Sequence, residues 1–226
     1  MSTRYERNIG AITREENEQL KTFNVCVIGC GGLGGHVIEN LARLGIGHIT
    51  AVDGDVFQES NLNRQILSAE DNLGEAKARA ARERVGRINS RIELRAVCDF
   101  LTEANSFELI QGHDAVVDAL DNIPGRILLE EACEKAAIPL IHGAIAGWYG
   151  QVAVVMPGDR LLSALYAGGQ EKGAELETGN PSFTPAVIAA LQAAETLKVL
   201  LHRPQILRKK LLTTDLLNQR YEVIEL

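Results

Sequence analysis

Apolar residues along this chain change their spacing in a regular order, and the changes mark out elements. Phe23–Ile28 is a short β-branched apolar run, as a buried strand requires. It breaks into Gly29-Cys30-Gly31-Gly32-Leu33-Gly34-Gly35, after which Val37, Leu41 and Leu44 recur three or four residues apart up to Gly45. That spacing predicts an amphipathic helix, and Ile46–Val52 then predicts a second strand ending on Asp53. Further strands are predicted over Arg91–Val97, His113–Leu120, Ile138–Ile141 and Gly150–Met156. Helices are predicted for Thr13–Leu20, with Thr13 and Glu16 as a capping box, from about Gly74 to Ile88, over Leu101–Leu109 and over Pro124–Ala136. A last helix runs from Pro185 to Leu201, capped by Ser182 or Thr184, and Leu211–Thr214 with Tyr221–Ile224 reads as a terminal hairpin. His142–Gly150 is too glycine-rich for a regular element, and Asp159–Gly179, extended to residue 181, reads as a mobile crossing loop. Strands alternating with helices give an α/β, Rossmann-like fold: a mostly parallel central sheet flanked by helices, with a short C-terminal antiparallel extension. The chain reads as one domain, residues 1–226, with residues 1–20 as an N-terminal arm.

Composition narrows the functions. A net charge of −7 argues against broad binding to nucleic acid or anionic membranes, so basic residues gathered at a site would be local anion ligands. Met1–Gly10 lacks a signal-peptide core, and no apolar run nears the length of a membrane span, which points to a cytoplasmic protein. Cys26, Cys30, Cys98 and Cys133 form no C-x-x-C pair, so no zinc site is expected.

The candidate chemistry starts at the first strand. Strand, Gly-x-Gly-x-x-Gly, helix, strand and acid follow one another as in a mononucleotide-binding unit. The glycines allow close phosphate approach, the helix N-terminus offers free N–H groups, and Asp53 would accept from ribose hydroxyls. That motif alone fits a dehydrogenase or a nucleotide-dependent transferase. The polar run Asp53-x-Asp55-x5-Asn61-x2-Arg64-Gln65 favours the transferase, because a triphosphate and its metal need such a run and a dinucleotide does not. In an open parallel sheet Asp53, Asp55 and Asp121 would share the rim at the strands' carboxyl ends, where a carboxylate can hold magnesium. Asp121 alternatively caps the helix that follows it. Lys77 by itself reads as a solvated helix residue, and His142 as a packed structural one.

An ordered set of motifs resembles the ThiF/MoeB/HesA family, the bacterial relatives of ubiquitin-activating enzymes. The set comprises Arg4-Tyr5-x-Arg7, Gly29-x-Gly31-Gly32-Leu33-Gly34, Asp53-x-Asp55, Ser60-Asn61-Leu62-x-Arg64-Gln65, Gly74-x-x-Lys77-Ala78, Asp118-x-x-Asp121-Asn122, Gly150-Gln151-Val152 and Gln192-Ala193-x-Glu195-x-x-Lys198. The resemblance covers roughly Arg4 to Leu201. It implies ATP-dependent adenylation of the C-terminal glycine of a small ubiquitin-like sulfur-carrier protein, with magnesium. It also implies an ATP site made of Gly29, Gly31, Gly32, Leu33, Gly34, Asp53, Asp55, Asn61, Arg64, Gln65, Lys77, Asp121 and Asn122. Within that set Gly31 and Gly34 would admit the nucleotide, Asp53 would hold the ribose, Asn61, Arg64, Gln65 and Lys77 the phosphates, and Asp121 the magnesium. Arg7 would reach a neighbouring protomer's triphosphate, so a homodimer is implied, with Arg7, Arg64, Lys77 and Asp121 as the catalytic set. The family's paired zinc cysteines have no counterpart in Asp159–Gly179, and the stretch just before the last helix, Ala174–Pro181, has no cysteine for a thiol step. The competing readings are adenylation of another peptide or a small carboxylate, a nucleotide-binding scaffold, and a nicotinamide-dependent oxidoreductase. The last leaves Arg64, Lys77 and Asp121-Asn122 unexplained.

Overall fold

The computed structural model describes residues 3–167 and 178–226. Eight strands form one sheet: β1 Asn24–Ile28, β2 His48–Val52, β3 Glu93–Val97, β4 Ala115–Asp118, β5 Leu140–Ala146, β6 Tyr149–Val155, β7 Lys210–Asp215 and β8 Arg220–Glu225. Their spatial order is β3-β2-β1-β4-β5-β6-β7-β8. The first five are parallel and β5 through β8 pair antiparallel, so the sheet is mostly parallel with an antiparallel C-terminal extension, as the sequence predicts. Helices are α1 Arg14–Gln19, α2 Gly32–Leu44, α3 Lys77–Ile88, α4 Ser106–Ile110, α5 Ile123–Ala136, α6 Leu161–Leu165 and α7 Phe183–Leu200.

The central strand explains the layering. Val25 and Val27 of β1 face one apolar cluster with Val37, Leu41 and Ile188, while Cys26 and Ile28 face another with Leu129, Cys133 and Leu162. Both faces of β1 are thus buried, which is why its sequence is continuously apolar rather than alternating. Each fully buried Val, Leu or Ile side chain contributes about 1.5–3 kcal/mol. β1 lies between β2 and β4, so the chain order reverses on either side of it, and the crevice at its carboxyl end is the expected ligand position.

Three local expectations are corrected. Residues 142–150 are not irregular: they complete β5 and begin β6, a hairpin turning at Gly147-Trp148. Its glycines sit where α7 comes closest, since a Cβ on Gly143 would lie 2.3 Å from Gln192 Cδ and one on Gly150 would lie 2.3 Å from Ile188 Cδ1. Ser182 stands at the N-cap of α7 but its side chain makes no capping hydrogen bond, and Thr184 lies inside the helix; its hydroxyl donates to the Gly147 carbonyl at 2.6 Å and ties the helix to the hairpin turn. The predicted loop 159–181 contains α6, and its residues 168–177 lie outside the described ones.

The Thr13–Glu16 capping box is present. The N-terminal arm is packed against the fold, for Tyr5 is buried with its hydroxyl accepting from Asn89 Nδ2 at 2.6 Å, and Arg4 also bonds Asn89. α7 is long and apolar enough to cross a membrane by length and composition, yet Gln192, Glu195 and Thr196 are buried along it, and it packs on the sheet and α2.

Candidate nucleotide-binding site

A cleft of about 460 Å³ opens at the carboxyl ends of β1, β2 and β4. Its floor begins with the glycine turn. Gly29 has φ +98°, and a Cβ there would stand 2.5 Å from the Ala119 carbonyl oxygen, so only glycine fits. A Cβ on Gly34 would come within 1.8 Å of the Gly29 carbonyl oxygen. Gly34 therefore lets α2 close onto the turn from behind and is not on the cleft wall, whereas Gly29, Gly31, Gly32 and Leu33 are. The N-cap of α2 is Gly31, with no side chain to satisfy the first N–H groups of this thirteen-residue helix. Those donors and the helix dipole suit an anion.

Asp53 follows β2 and spans the turn, accepting from Cys30 N–H at 2.7 Å and from Asp55 N–H at 2.8 Å. Burial pushes its carboxyl above the usual range despite these bonds and the nearby Lys77 charge. Two donors on one carboxylate leave lone pairs for a ligand's hydroxyls. Lys77, first residue of α3, is not a solvated helix residue: it is 7% exposed, and its Nζ meets Asp55 Oδ2 at 3.0 Å. Its backbone N–H also donates to the Asp55 carbonyl at 3.0 Å, so both ends of Lys77 are set by one residue. Arg64 Nη1 donates to Ser60 O and Asn63 Oδ1, which aims the guanidinium along the wall. Asp121 is exposed at the rim, and its neighbour Asn122, not Asp121, caps α5 by accepting from Gly125 N–H at 2.8 Å.

Arg64, Gln65, Lys77, Asp53, Asp55, Asp121 and Asn122 are thus brought together with the glycine turn. Asn61 is not on the wall; its Oδ1 accepts from Gln58 N–H at 2.9 Å and shapes the turn that delivers Arg64 and Gln65. Arg7 is exposed and does not line the cleft of its own chain. Sequence reasoning missed Asp99, Phe100, Arg126 and Asn180, which also line it. Arg126 had a signal, its place in the first turn of a helix starting at a strand's carboxyl end; Asn180 reaches the cleft only through tertiary folding.

Gln65 Oε1, Asn180 Oδ1 and Arg126 Nε are buried at this wall without hydrogen-bond partners among the described residues. Buried polar atoms left unpaired are costly, so their concentration at one cleft fits a polar ligand. The cysteines contribute no reactive thiolate at the turn, because burial and the Asp53 charge hold the Cys30 thiol well above its ordinary range. His142 is buried with Nδ1 at 2.7 Å from Asp118 Oδ2; burial lowers its pKa more than the carboxylate raises it.

A doubly flanked, mostly parallel sheet with a glycine turn, a part-buried carboxylate and cations at its switch point is the architecture of nucleotide-binding α/β proteins. A family model described as the ThiF family matches residues 5–226, and the chain belongs to that family. It is 34% identical over 226 residues to the SAMP-activating enzyme E1 of Haloferax volcanii, covering 98% of this chain and 84% of that one. It is 35% identical over 230 residues to the molybdopterin-synthase adenylyltransferase of Salmonella typhimurium, covering 99% and 92%. A sulfur carrier protein adenylyltransferase of Thermus thermophilus is 36% identical over 229 residues, covering 96% and 84%. The crystal structure of E. coli MccB with ATP has the same fold, with a TM-score of 0.83 at 24% identity over 100% of this chain and 72% of that one. The chain is an enzyme of the adenylyltransferase class.

Proposed function

We propose that this enzyme activates the C-terminal glycine carboxylate of a small ubiquitin-like sulfur-carrier protein as an acyl-adenylate. The observation that carries the reading is the gathering of Arg64, Gln65, Lys77 and Asp121 around the glycine turn and Asp53 in a single cleft. Relatives named for carrier activation support the choice of substrate.

A carboxylate oxygen of the carrier attacks the α-phosphorus of ATP. The new P–O bond forms as the bond to the bridging α–β oxygen breaks, and the electron pair leaves with pyrophosphate. No proton moves, so no base is required; the obstacles are anion–anion repulsion and charge on the leaving group. Arg64 and Lys77 supply positive charge to the phosphates, and Gln65 an amide donor. Lys77 reaches them without losing Asp55, since an ammonium has three donors and Asp55 is half-exposed. Asp53 holds the ribose and the bare N-terminus of α2 faces the phosphates. Asp121 would hold magnesium, which is bound through one or two carboxylates together with substrate phosphates, and which neutralises triphosphate charge when present. Arg7 acts on the partner protomer's triphosphate in a homodimer.

The test is exchange of labelled pyrophosphate into ATP with magnesium, with and without ubiquitin-like carriers ending in Gly-Gly. Carrier-dependent exchange is expected. ATP binding with no carrier-dependent exchange would shift the acceptor to another carboxylate, and failure to bind ATP would overturn the reading.

A further inference from the structure

Under the cleft floor lies a buried polar cluster that the adenylation chemistry does not use. Asp118, fully buried at the end of β4, accepts from His142 Nδ1 through Oδ2 and from Leu120 N–H at 3.0 Å through Oδ1. Arg126, 4% exposed, has its Nε 3.8 Å from Asp118 Oδ2. It donates from Nη2 to the Leu120 carbonyl at 2.8 Å and from Nη1 to the Tyr166 hydroxyl at 3.3 Å. Both backbone polar groups of Leu120 are therefore held by buried side chains, and Leu120 immediately precedes Asp121. Tyr166 is itself anchored, accepting from Gln151 Nε2 at 2.8 Å, with His142 Nε2 at 3.4 Å. α6, which delivers Tyr166, is docked by Glu130, whose carboxylate accepts from Leu162 N–H, Ser163 N–H and Ser163 Oγ.

Burying this many charged and polar groups costs stability unless each is paired, and a surface turn between a strand and a helix has no need of them. What the cluster fixes is the direction in which the 120–121 peptide leaves β4. The geometry points to Arg126 and Tyr166 as positioning residues for Asp121: the pair clamps Leu120, sets the aim of the Asp121 carboxylate into the cleft, and ties that aim to α6. This inference rests on the reading of Asp121 as the magnesium ligand.

Calorimetric titration with ATP, in magnesium and again in EDTA, tests it without any protein partner. In the wild type magnesium tightens ATP binding, and Asp121→Asn removes that gain. Tyr166→Phe and Arg126→Lys keep volume and charge respectively. Each is expected to cut the gain about three- to tenfold, the worth of a lost hydrogen bond, while for Tyr166→Phe, whose residue does not line the cleft, affinity in EDTA stays within twofold. Added to Asp121→Asn, either is expected to cause no further loss, because the effect runs through the same carboxylate. Equal weakening by Tyr166→Phe in magnesium and EDTA, a full gain in both variants, or additive losses in the double variants would each overturn the positioning role. Retention of the gain by Asp121→Asn would instead refute the magnesium reading, and the positioning role with it. Tyr166→Phe changes one hydroxyl only, and a melting curve on each variant separates misfolding from these outcomes.

Discussion

Lys77 illustrates how a single residue changes meaning between sequence and structure. In a helix rich in arginine it looks like one more solvated charge, yet it is the first residue of α3, buried and held against Asp55. A buried ammonium at the edge of a cleft, paired with one half-exposed carboxylate, is set up to serve a second anion. Arg64→Ala and Lys77→Ala are each expected to slow pyrophosphate exchange by about two orders of magnitude or more, the scale of losing one preorganised charge donor. Melting temperatures should stay close to wild type; near-normal exchange by either variant would remove that residue from the mechanism. Half of the cleft's residues were legible because they cluster in short sequence motifs, as with Asp53, Arg64 and Gln65. Asn61 and Gly34 were legible as motif members but not in their placement, since a motif does not say which side of a turn a residue supports. Arg126, Tyr166 and Asn180 were hidden because their partners lie far away in sequence.

At the level of elements, glycine carried most of the ambiguity. Gly143 and Gly150 look like breakers, and so His142–Gly150, the turn end of the β5–β6 hairpin, reads as irregular chain between two strands; they are strand residues trimmed to admit Gln192 and Ile188 of α7. Period and propensity report a residue's own backbone preferences, not the approach of a helix from elsewhere. Two glycines with opposite surroundings make this measurable. Gly34→Ala drives a Cβ into the Gly29 carbonyl and is expected to destabilise the fold by at least about 2 kcal/mol, in the range of overpacked sites. Gly86, exposed inside α3 with nothing within 4 Å of its Cβ position, should gain up to about 1 kcal/mol when changed to alanine. Urea unfolding midpoints check both; a stabilising Gly34→Ala would mean that α2 does not close on the turn in this way.

For the whole molecule, Arg7 lies outside the cleft of its own chain, and the proposed homodimer is what would bring it to a triphosphate. In a homodimer with reciprocal arginines, equal mixing of Arg7→Ala and Lys77→Ala chains leaves one intact site in each mixed dimer. Random pairing should then restore roughly a quarter of wild-type exchange, as expected for an interface that contributes the same residue in both directions. Pyrophosphate exchange after subunit mixing reads this directly, and no recovery in confirmed mixed dimers would place Arg7 outside the partner's site. The cleft also has a consequence for how fast its ligand arrives. Three cations, Arg64, Lys77 and Arg126, face it inside a chain of net charge −7. An approaching polyanion is repelled at long range and attracted only over the last few ångströms. Because ions screen across about 8 Å at physiological strength, added salt suppresses the distant repulsion before it reaches the buried cations. Ligand capture by this acidic molecule should therefore be fastest at intermediate ionic strength, the reverse of the steep decline seen when a basic surface steers its anion from afar.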